Sequence, residues 1–170
     1  MGLFDKLKSK LGEQAAETVT FPAVLGAACN GKYVAMKDIP DEVFSMGVLG
    51  ACCGIEPEEG KVYAPISGKI VQVADTLHAI GIECSGIEIL LHVGIDTVEM
   101  NGEGFRAQVR EGQTVKKGDL LLTMDLEKIH AAGHPDMVIM AVTNSEDFSS
   151  VESVAVDTVK QGDDLLKIMK

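Results

Sequence analysis

The chain has 170 residues, with Lys+Arg 15 against Asp+Glu 26 and a net charge of −11. That length makes one domain whose core needs no metal or disulfide support. The acidic balance, with no basic stripe, argues against nucleic acid and favours a basic protein as partner. No secretory segment and no run of about 18 apolar residues is present, so the expected location is the cytoplasm.

Taken in order, Leu3, Phe4, Leu7 and Leu11 fall on one helical face, Lys6, Lys8 and Lys10 occupy the rest, and Gly12 is placed to end the helix. The pattern predicts a short amphipathic helix over residues 1–11, suited to reversible contact with an anionic membrane surface. A solvated tail is the alternative, because so short a helix is marginal in water. Residues 1–18 therefore form a tail and linker, and the folded domain is expected over 19–170.

From Thr18 onward, short Val- and Ile-rich stretches alternate with Gly turns, and the pattern repeats. Ala27 to Asp38 matches Ala64 to Asp75 at an offset of 37 residues, and Thr114 to Leu122 matches Thr158 to Leu166 at an offset of 44. Two duplications in one domain predict two similar antiparallel units packed as an all-β sandwich or flattened barrel with short helical turns. One such turn is expected at Asp41-Glu-Val-Phe44 after Pro40, another at Leu126 to His130. Cys29, Cys52, Cys53 and Cys84 lack metal-ligand spacing and read as buried, reduced thiols.

The stretch from His78 to His92 reads as a β-hairpin with a histidine on each arm. If Cys84-Ser85-Gly86 forms a three-residue loop, His78 and His92 face each other directly, with Cβ atoms about 4.5–5.5 Å apart. A two-residue loop at Ser85-Gly86 would instead send them to opposite faces. Thr76, two residues before His78, is placed on the same strand face to orient it. Gly94 lets backbone approach His92 closely, and Asp96 adds negative charge at the same edge. His130 and His134, beside Gly133 and Pro135, read as loop residues.

Two facing imidazoles suit phosphoryl relay, where stabilisation of charge does most of the work. They also suit a zinc-dependent hydrolase, for which Asp96 is the nearest third ligand. A third class, a non-catalytic regulatory binding module, needs neither. Ala64 to Ile70 and Val109 to Leu121 look like pieces of a biotinyl or lipoyl carrier, but no modifiable Lys tip lies between them.

At Gly86-Ile-Glu-Ile-Leu-Leu-His92-Val-Gly-Ile-Asp96-Thr-Val98 the sequence closely resembles the active-site signature of the glucose-type enzyme IIA proteins of the bacterial phosphoenolpyruvate-dependent sugar phosphotransferase system. Thr76-x-His78, Gly102-Glu-Gly-Phe105, Glu111-Gly-x-x-Val-x-x-Gly118 and Ile39-Pro-Asp41-x-Val-Phe44 look like further landmarks of that family. One departure is Gly50-Ala-Cys52-Cys53-Gly54, where the family more usually has a Gly-Asp-Gly-like loop. The resemblance implies a duplicated hybrid-motif β-sandwich that needs no cofactor. It implies that His92 accepts a phosphoryl group on Nε2 from the phosphohistidine of HPr, that His78 hydrogen-bonds that group, and that Thr76 orients His78. Asp41 and Asp96 would face arginines of the partner, while Val43, Phe44, Leu90 and Val98 would form an apolar docking patch. The group would pass to a cysteine in the IIB domain of a sugar permease, and regulation of further protein partners is compatible with that role.

Overall fold

A computed structural model describes residues 18–170. The expected helix over 1–11 and nearly all of the linker lie outside the described residues.

Among the described residues the apolar stretches between Gly turns become strands. The first seven are β1 (Ala23–Gly26), β2 (Gly31–Ala35), β3 (Ala51–Pro57), β4 (Lys61–Tyr63), β5 (Gly68–Val73), β6 (Ala79–Cys84) and β7 (Ile87–Val93). The rest are β8 (Phe105–Ala107), β9 (Thr114–Val115), β10 (Leu120–Met124), β11 (Val138–Val142), β12 (Ser150–Ser153), β13 (Thr158–Val159) and β14 (Asp164–Met169). Both expected helical turns form, as α1 (Glu42–Ser45) and α2 (Leu126–Ala131). Each starts on an aspartate whose side chain accepts a backbone N–H of the first turn: Asp41 from Val43, Asp125 from Lys128. None of these helices is long and apolar enough to cross a membrane.

The strands build one eight-stranded sheet, β13-β2-β3-β11-β7-β6-β5-β9, and two three-stranded sheets, β1-β14-β12 and β4-β10-β8, antiparallel throughout. The buried faces share one apolar cluster, in which Ile80, Ile82, Ile89 and Leu91 of the large sheet join Leu25, Leu121, Leu122 and Ile168 of the small ones. This is the expected sandwich.

The duplication is visible in the hydrogen bonds. Ala27 N–H donates to Asp163 O at 2.7 Å and Gly162 N–H returns to Ala27 O at 2.9 Å; at offsets of 37 and 44, Ala64 N–H donates to Asp119 O at 2.8 Å and Gly118 N–H to Ala64 O at 2.9 Å. The edge pairs repeat as well. Thr158 and Val159 lie opposite Lys32 and Gly31, just as Thr114 and Val115 lie opposite Lys69 and Gly68.

Three expectations need correction. Cys84 pairs with Ile87 and Ala79 with His92, so the β6–β7 hairpin turns on two residues, Ser85 and Gly86, with φ of 49° and 86° as in a type I′ turn. The reason is core matching: this register sets Ile80, Ile82 and Cys84 against Leu91, Ile89 and Ile87, all buried. Ala51 to Gly54 are not a loop but the first half of β3, paired along β2 and β11. His130 belongs to the last turn of α2 rather than a loop.

Gly31 and Gly68 occupy equivalent positions in the two repeats. A Cβ on Gly31 would meet the backbone of Glu56, and one on Gly68 would stand 2.6 Å from Glu83 O. Gly31→Ala and Gly68→Ala are each expected to cost about 1–3 kcal/mol by overpacking, read as a lowered urea midpoint at unchanged slope.

Candidate functional site

Alternation along β7 sends Ile87, Ile89, Leu91 and Val93 into the core and leaves Glu88, Leu90 and His92 on the opposite face of the large sheet. There Ile139 lies opposite His92 and Ala141 opposite Leu90, with Gly54 and Cys52 of β3 next in line. Ile39, Phe44, Cys52, Ile95, Met137, Ile139 and Ala141 close over this face as a second apolar cluster. Phe44 is 4% exposed, with its ring 5.0 Å from that of His92 and tilted by 59°. The Cys52 thiol, at 3.3 Å, donates to Phe44 O and ties α1 to the sheet.

The chain turns sharply after β7. Gly94 takes φ of +77°, which brings its carbonyl back to 2.8 Å from His92 Nδ1. A carbonyl only accepts, so Nδ1 carries the ring hydrogen and Nε2 keeps a bare lone pair. His78 Nδ1 lies 2.6 Å from Thr76 Oγ1, and the two imidazoles meet edge to face with centroids 5.0 Å apart and an 80° interplanar angle.

The histidines therefore meet in spite of the register. His78 O still accepts Val93 N–H at 2.7 Å, but His78 precedes the first residue of β6 and follows Leu77 in a left-handed conformation, φ 62°, so the strand's alternation of faces does not hold there. Thr76 likewise sits in a turn and not on the strand, yet it makes the expected contact.

Burial holds both rings below the ordinary histidine value of 6.5, and for His92 the charge of His78 pushes the same way. The Gly94 carbonyl, Asp41 and Asp96 oppose this by favouring the charged form of His92. Asp96 is exposed, in a left-handed conformation just before the 3₁₀ turn Thr97–Met100. Val43 and Val98 are exposed, and Leu90 is half-buried against the second cluster. Met46 and Val48, in the turn after α1, are also exposed. Sequence reasoning missed them, although two apolar residues around Gly47 with no strand to join were a readable signal.

The other candidates stay apart. His130 Nε2 pairs with Asp136 at 2.7 Å, and His134 lies 3.6 Å from Glu99. All four cysteines are buried and free of disulfides. Burial pushes the Cys29 thiol up to about 12, Cys52 to about 11 and Cys53 higher still. Among the described residues no group of three His, Cys, Asp or Glu side chains is placed to hold a metal ion, so Asp96 does not complete a zinc site with the two histidines.

Residues 23–148 match the family described as "phosphoenolpyruvate-dependent sugar phosphotransferase system, EIIA 1". The chain belongs to this family. It is 39% identical over 168 residues to the glucose-specific EIIA component of Bacillus anthracis, with 98% of each chain covered. It is 50% identical over 125 residues to the glucosamine-specific EIICBA component of Bacillus subtilis, covering 72% of this chain but spanning 20% of that longer protein. Glucose permease IIA from Mycoplasma capricolum has the same fold, with a TM-score of 0.77 at 37% identity over 86% of this chain and 95% of that one. As an EIIA component the chain is a phosphocarrier of a sugar phosphotransferase system. The zinc-hydrolase alternative gains no support.

Depressed histidine values have a sign for stability. Below 6.5 the unfolded chain takes up protons that the folded rings resist, so this contribution is present above 6.5 and is lost as pH falls. Ring-proton NMR is expected to show both histidines titrating below 6.5. A midpoint at or above that value would contradict the site's burial.

Proposed function

We propose that His92 Nε2 accepts a phosphoryl group from the phosphohistidine of HPr and delivers it to a cysteine in the IIB domain of a sugar permease. The observation that carries this reading is the His92 Nδ1–H bond to Gly94 O, which leaves Nε2 as the nucleophilic nitrogen. As the Nε2–P bond forms, the N–P bond of the donor breaks and the His92 ring becomes a cation. Its Nδ1 keeps its proton, still donated to Gly94 O, and the carboxylates of Asp41 and Asp96 favour that charge. Onward transfer reverses the step: the Nε2–P bond breaks as the thiolate takes phosphorus.

His78 stabilises the group in transit. With the Thr76 hydroxyl donating to Nδ1, the His78 Nε2–H is free to donate to a phosphoryl oxygen beside His92. Asp41 and Asp96 also face arginines of the partner, and Val43, Leu90 and Val98 form the apolar rim that excludes water. Phe44, buried beneath that rim, acts by holding the His92 ring.

Relatives named as EIICBA and EIIBCA components in Bacillus subtilis support a IIB partner. Residues 19–170 serve as the IIA domain and work in the cytoplasm, with 1–11 touching an anionic membrane surface and regulatory proteins sharing the docking face.

Labelling from phosphoenolpyruvate through enzyme I and HPr tests the relay. His92→Ala is expected to drop to background, while His78→Ala takes label but passes it on about a hundredfold more slowly. A parent chain that takes no label from competent HPr would defeat the proposal. For the tail, anionic vesicles should pellet the full chain and not one lacking residues 1–18; equal pelleting would remove the membrane contact.

A further inference from the structure

Thr97 stands four residues after His92's neighbour Val93 and is the one buried polar side chain among the described residues, with 0% exposed. Its hydroxyl donates to Val93 O, and its methyl fills the space a Cβ on Gly94 would need. On the far side, Gly94 N–H donates to Met137 O at 2.7 Å and Ile95 N–H to Pro135 O at 3.1 Å. The turn is thus held from within by Thr97 and from outside by the strand leading into β11. With its N–H committed, Gly94 presents its carbonyl to His92 Nδ1 at 2.8 Å.

We propose that Thr97 is a positioning residue for phosphoryl transfer: its bond to Val93 O holds the 93–97 turn so that Gly94 O fixes the His92 tautomer. The inference rests on His92 as the acceptor. Removing the hydroxyl strands a buried carbonyl and leaves the peptide plane that carries Gly94 O held by the single 3.1 Å bond from Ile95 N–H to Pro135 O, against which a glycine has the conformational range to turn that carbonyl from Nδ1. A neutral imidazole released from such a bond favours hydrogen on Nε2, the nitrogen that has to be bare.

Thr97→Ser and Thr97→Ala both lose the methyl and differ in the hydroxyl alone, whereas Thr97→Val keeps the shape. Two readouts apply: ¹⁵N NMR of the His92 ring in the folded protein, and the rate of phosphoryl acceptance from phosphorylated HPr. Thr97→Ser is expected to keep the Nδ1–H tautomer and a rate within about threefold of the parent, while Ala and Val admit the Nε2–H tautomer and lose about tenfold to a hundredfold in rate. Parent-like ring spectra in Ala or Val, or a Ser variant as impaired as Ala, would overturn the assignment. Should Thr97→Val not fold, the Ser and Ala pair decides. If the parent takes no label at His92 the carrier reading fails, yet the ring spectra still settle whether Thr97 sets the tautomer.

Discussion

The bond from His92 Nδ1–H to Gly94 O is the constraint on which the chemistry of this site depends. An imidazole in water offers either nitrogen, and a carrier that hands one group between two partners needs the same nitrogen every time. A backbone carbonyl makes that choice permanently, because it has no proton to give and does not titrate. Everything around it serves this geometry: a glycine at positive φ, an apolar lid over the sheet, and a second histidine set edge-on by a threonine.

The duplicated fold supplies the platform. The large sheet divides into two fourfold halves, β13-β2-β3-β11 and β9-β5-β6-β7, which meet where β11 pairs with β7. His92 and Ile139 stand opposite one another on that central seam. Backbone there is hydrogen-bonded on both sides, so His92 rides on a strand held along both edges, while its ring emerges on the face away from the main core. The repeats themselves carry no chemistry. They close the sandwich, and the residues that differ between them, in the loops after β2 and β7, build the site.

Much of this was legible in the chain itself. The 37- and 44-residue offsets predicted the paired turns that the hydrogen bonds now show, and Asp41 after Pro40 marked the first short helix. The hairpin register was readable too: matching Ile80, Ile82 and Cys84 to Leu91, Ile89 and Ile87 selects the two-residue turn, but Gly86 at the end of a Cys-Ser-Gly run suggested three. What alternation could not reveal is how the histidines meet all the same, because His78 lies at the end of the 74–79 turn, where Leu77 is left-handed and strand alternation does not apply. Nor did spacing show that Phe44 is buried against the sheet rather than exposed. Its burial comes from nearby Cys52 and from Ile139 and Ala141 of β11, distant in sequence.

The four cysteines acquire a meaning from the chemistry they do not perform. In the proposed transfer, a phosphoryl group bound for a thiolate could be intercepted by a thiol nearer at hand, and Cys52 holds its sulfur 3.3 Å from the Phe44 carbonyl. Its sulfur is protonated, turned to a carbonyl and sealed by apolar side chains, and Cys29 and Cys53 are equally inert. On the proposed route, a nucleophile of the type that receives the cargo can therefore sit within the carrier without draining it.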